Sequence, residues 1–128
     1  MIVTPSAEDI LAKLTKHYKS LKEPIDENNV TILRERLARM TEKIPEATIL
    51  RNHAQARLGE AKKAAREKLK GGNLTATQLR YAVEDSTSTE QRIFDLSRKL
   101  HDDLTNISHN IRKLLDFEIA DFHHQNRT

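Results

Sequence analysis

Cysteine is absent from the 128 residues, so no disulfide, thiolate metal site or cysteine nucleophile is available to this chain. Only three glycines and three prolines occur, too few for a loop-rich or collagen-like protein. Aromatics make up 4% and tryptophan is missing, which leaves little material for strands. No apolar run nears the ~20 residues that span a bilayer, so no membrane segment is expected. Catalytic motifs are equally scarce. Gly59, Gly71 and Gly72 are the only glycines, and they form neither a Gly-x-Ser-x-Gly elbow nor a phosphate loop. Asp102 and Asp103 are adjacent, which puts them about 100° apart on a helix and bars a carboxylate dyad. The expectation is a protein that is not an enzyme and carries no cofactor.

What remains is helical material. Hydrophobic residues are 37% and charged residues 32%. The apolar share is too high for simple disorder, and Ala, Leu, Glu, Lys, Arg and Gln dominate. The length suits one domain. Met1 to Pro5 leads straight into Ser6, Glu8 and Asp9 without a basic head or an apolar core, so a cytoplasmic protein is expected. The tripeptides at Asn29, Asn73, Asn106 and Asn126 match the glycosylation acceptor pattern, but one that short recurs by chance.

The apolar periodicity divides the chain into helices over 5–22, 27–44, 46–70, 75–84 and 88–124. Thr4, Pro5 and Ser6 followed by Glu8 and Asp9 form a helix start, and Ile10, Leu11, Leu14, Tyr18 and Leu21 line one face. Val30, Leu33, Leu37, Met40 and Ile44 form the next stripe, which Pro45 interrupts, so a kink or restart is expected there. The pattern resumes through Ala47, Leu50, Ala54, Leu58, Ala61, Ala65 and Leu69, and Gly71-Gly72 supplies a left-handed termination. Thr75 to Gln78 fits a capping box, and Ser88 to Gln91 fits a second. After it, Ile93, Leu96, Leu100, Leu104, Ile107, Ile111, Leu114, Leu115 and Phe122 fall within an arc of about 100°.

These lengths predict an elongated all-α bundle of four or five helices. A C-terminal helix of about 35 residues would pair antiparallel with the two central helices, in packing of coiled-coil type. A rod buries little surface for its size, so a homodimer is expected.

Charge is distributed unevenly. Residues 51–83 carry +6 and residues 84–128 carry −3, within a total of +3. Arg51, Lys62, Lys63, Arg66 and Lys70 occupy an arc of about 120° beside the apolar face. A solvated face balanced by the acidic C-terminal helix accounts for this stripe. The alternative is a track for phosphates, whose neutralisation releases counterions. No aromatic lies between Ala47 and Leu79 to stack a base.

The six histidines lack metal spacing: His17 and His53 are isolated, and His101, His109, His123 and His124 point away from the apolar seam. Only Asp121 stands three residues before a histidine, His124. Glu118 falls on the long stripe, where that stripe reaches its solvent-exposed end. The functional expectation is a non-enzymatic interaction or adaptor module, with Leu37, Met40, Ile44, Leu100, Leu104, Ile107 and Ile111 as the seam for self-association or a partner protein. The alternative is a nucleic-acid accessory protein using the basic stripe of 51–70.

Overall fold

The computed structural model describes residues 5–24 and 29–126, with side chains described as far as Asp121 and at His124. Residues 27 and 28, the Thr4 position and the side chains of Phe122 and His123, all used in the sequence reading, lie outside that description. The described residues form four helices and no strand: α1 Ala7–Leu21, α2 Val30–Leu69, α3 Ala76–Ser86 and α4 Ser88–Asn126.

Local signals account for most boundaries. The Ser6 hydroxyl accepts from the Asp9 amide (3.2 Å) to start α1. Asn29 does the same for Ile32 (3.1 Å) at α2. At α3 the capping box is complete: Thr75 Oγ1 accepts from Gln78 N–H at 3.1 Å, and Gln78 Oε1 accepts from Thr75 N–H at 3.0 Å. Beyond the end of α2, Gly71 takes φ +96°, a conformation that costs glycine little and turns the chain toward α3.

Two expectations are corrected. The helices expected over 27–44 and 46–70 are one, the 40-residue α2, with Pro45 inside it. The apolar phase explains why: Ile44 to Ala47 is a step of three, between Met40 to Ile44 at four and Ala47 to Leu50 at three, so the helical spacing of three or four continues and one face stays apolar across the proline. Pro45 and Thr41 are both exposed, which leaves the carbonyl that loses its amide partner open to water. The second capping box is absent. α4 begins at Ser88, and Gln91 Nε2 donates forward to Asp95 Oδ1 (3.1 Å). Thr87, buried, instead closes α3 by donating to the Val83 carbonyl at 2.7 Å. α4 has 39 residues, slightly more than the sequence suggested.

α2 and α4 pack along most of their length, joined through the short α3, and α1 lies across both. The polar contacts fix the directions. Glu23 meets Arg36, Ser20 meets Lys43 and His17 meets Glu46, so α1 runs opposite to α2. Tyr18 donates to the Leu96 carbonyl of α4 (2.9 Å). The core is one cluster in which Ile10 and Leu14 from α1 meet Leu33, Met40, Ala47, Leu50 and Ala54 from α2. Ile93, Leu100, Leu104, Ile111 and Leu115 complete it from α4.

Arg36 is the one charged side chain buried among the described residues. Its guanidinium reaches the end of α1, donating to the carbonyls of Ser20 (2.9 Å), Glu23 (3.2 Å) and Leu21 (3.4 Å) and to Glu23 Oε2 (3.1 Å). The Ser20 carbonyl also accepts from the Glu23 amide (3.3 Å), so Arg36 adds donors to the carbonyls at and just beyond the end of α1 and caps it from a different helix.

Candidate functional site

The seven seam residues lie inside the chain. Leu100 and Leu104 are fully buried, Met40 and Ile111 nearly so, and Leu37, Ile44 and Ile107 pack half-buried against them. They hold α2, α4 and α1 together, and their apolar surface is spent on the fold.

The basic stripe lies differently. Lys63, Arg66 and Lys70 are exposed and Arg51 and Lys62 half-buried. None of the five makes an ion pair among the described residues. Arg51 stands eleven residues before Lys62, roughly 16 Å along the axis, so it is separate from the rest. At the far end α2 runs on beside α3, and Lys62 and Arg66 line a groove of about 390 Å³ together with Arg80, Leu79 and Val83 of α3. Glu84 lies at the same groove. Residues 62–83 carry six cations and one acid, Glu67.

Arg80 completes this site although it stands outside the stripe. Its spacing to the stripe is set by the Gly71 turn rather than by helical periodicity, so no wheel reveals it. Beside it, Tyr81 is 55% exposed, and the Arg80 guanidinium lies 5.2 Å from the Tyr81 ring centroid. The phenol is an aromatic face at the basic end, two residues past the aromatic-free window.

The histidines are scattered. His17 Nε2 lies 3.4 Å from Glu46 Oε2, His101 Nδ1 lies 3.8 Å from Asp102 Oδ1, and His109 and His124 are exposed. His53 is half-buried, with its Nδ1 enclosed and without a hydrogen-bond partner. Among the described residues no three metal-ligating side chains converge. Glu118 is half-buried at the end of the α4 stripe. Among the described residues no helix is long and apolar enough to cross a membrane. Comparison with protein-family profiles, with curated proteins and with solved structures finds no match.

Proposed function

We propose that this protein is a non-enzymatic helical interaction module whose binding surface is the basic end formed by α2 and α3, and that its partner is a nucleic acid held through its phosphates. One observation carries the reading: Lys62, Arg66 and Arg80 share a groove, with Lys63 and Lys70 exposed nearby, and none of the five is paired with an acid among the described residues. Unpaired cations held on rigid helices attract phosphates without reading sequence, because the gain comes from released counterions. Tyr81 offers one base a stacking surface, which favours a single strand over a duplex. In this reading the α2–α4 hairpin, with its coiled-coil-like seam, is the rod that presents the basic end.

The test is fluorescence anisotropy with a labelled single-stranded oligonucleotide over a salt series. Three phosphate contacts give a slope of log K against log salt of roughly −2. The triple substitution K62E/K63E/R66E abolishes binding, and Tyr81→Ala weakens it without changing the slope. Affinity that survives the triple substitution refutes the reading.

Self-association is a second reading, favoured by surface area. The chain exposes 9329 Å², against roughly 6,900 Å² for a compact monomer of 14.7 kDa. Phe117 (67% exposed) and Ile49 (53%) are apolar side chains that a second copy would cover. Light scattering that returns the mass of one chain at high protein concentration excludes it.

A further inference from the structure

A groove of about 740 Å³ runs between the second half of α1 and the middle of α2, remote from the basic end. This is the size range of small-molecule sites. Its rim carries Lys13, Lys16 and Lys19 from α1 and Lys43 from α2, with Glu23 and Glu46 as the acids. Glu23 pairs with Arg36, and Glu46 lies beside His17. Lys43 donates to Ser20 Oγ. Lys13, Lys16 and Lys19 make no ion pair among the described residues. The rim therefore holds four lysines against two acids: Glu23 is answered by Arg36, and Glu46 keeps its charge beside a His17 ring that burial holds neutral, so positive charge prevails.

The walls are of another kind. Leu50 and Ile49 line the same groove, and Ile49 keeps 53% of its surface exposed in the flank of a helix whose neighbouring apolar residues are covered. His53 also lines it, and its enclosed Nδ1 has no hydrogen-bond partner. Apolar walls beneath a cationic rim match a ligand with a hydrocarbon body and a negative head.

We propose that the groove between α1 and α2 binds a small amphiphilic organic anion, its carboxylate among Lys13, Lys16 and Lys19 and its hydrocarbon body on Ile49 and Leu50. The charge complementarity of the rim selects an anion over a neutral lipid. The apolar wall selects an amphiphile over a simple ion.

Isothermal titration calorimetry with laurate, with dodecanol as its neutral counterpart and with inorganic phosphate tests this. The expected result is one equivalent of laurate bound and no measurable binding of dodecanol or phosphate. K13Q/K16Q and Ile49→Glu, all at exposed positions, weaken laurate by about tenfold or more while the helical circular dichroism stays that of the parent. K62E/K63E/R66E leaves laurate affinity unchanged, which separates this site from the basic end. Equal affinity for laurate and dodecanol overturns the proposal, as does phosphate binding as tightly as laurate. Laurate affinity that is indifferent to K13Q/K16Q and Ile49→Glu, or no laurate binding at all, overturns it as well.

Discussion

Arg36 offers the sharpest test of how the fold is held, because one buried side chain caps α1 from α2. Four hydrogen bonds converge on its guanidinium, three from backbone carbonyls at the end of α1 and one from Glu23. A hydrogen bond to a charged group contributes about 1.5–3 kcal/mol net. The four do not add, because the Glu23 end of the site is exposed and water can replace part of what the guanidinium supplies. Arg36→Met keeps the stem volume in the core and removes the bonds, and should cost about 2–3 kcal/mol. Arg36→Ala also removes the buried methylenes and should cost roughly 1 kcal/mol more. Glu23→Gln, at a carboxylate 57% exposed, should cost less than about 1 kcal/mol. Urea unfolding followed by circular dichroism measures all three. If Arg36→Met lies within about 0.5 kcal/mol of the parent, the interhelical cap contributes nothing to stability.

Three further outcomes follow from other parts of the core. Ser108 is buried with its Oγ unpartnered, so Ser108→Ala should stabilise by about 1 kcal/mol, and a lower urea midpoint would contradict this. His17 titrates with a definite sign. Burial, opposed by Glu46 and reinforced by Lys43 and Lys16, holds its pKa below the usual 6.5. The folded protein favours the neutral ring, so the contribution is full above pH 6.5 and is lost as pH falls through the lower folded value. Urea midpoints at about pH 7.5 and about pH 5.5 should differ less in His17→Gln than in the parent. Leu104, fully buried at the centre of α4, should not tolerate Asp: the loss exceeds about 4 kcal/mol and the helical signal disappears.

The parts of this fold legible in the sequence are those written in local chemistry. Ser6, Thr75 with Gln78, and Gly71 mark their helix ends through contacts only a few residues long, so single positions suffice to read them. The Leu and Ile stripes of α4 are legible because one face repeats. Pro45 misled because its penalty falls on an amide and a carbonyl, and the cost depends on whether that carbonyl faces water. The sequence contains that answer only once the phase of Ile44 and Ala47 is followed through it. Ser97 and Ser108 fall on the buried arc of α4, yet their hydroxyls disguise them as surface residues. Arg36 was hidden by its charge, which marks it as a surface residue although it is buried. The basic groove was half legible: Lys62 and Arg66 share a helix face, whereas Arg80 arrives through the turn at Gly71. The groove between α1 and α2 was not legible at all, since it depends on how two helices lie against each other.

The length of α2 has a consequence for how the molecule moves. Forty residues of continuous helix extend about 60 Å, whereas a compact chain of this size is roughly 36 Å across. Friction on a rod rises with its long axis, so a single copy tumbles and diffuses like a heavier sphere. It should leave a gel-filtration column early, at the position of a globular protein of appreciably greater mass. An elution volume taken alone would then report two copies where there is one.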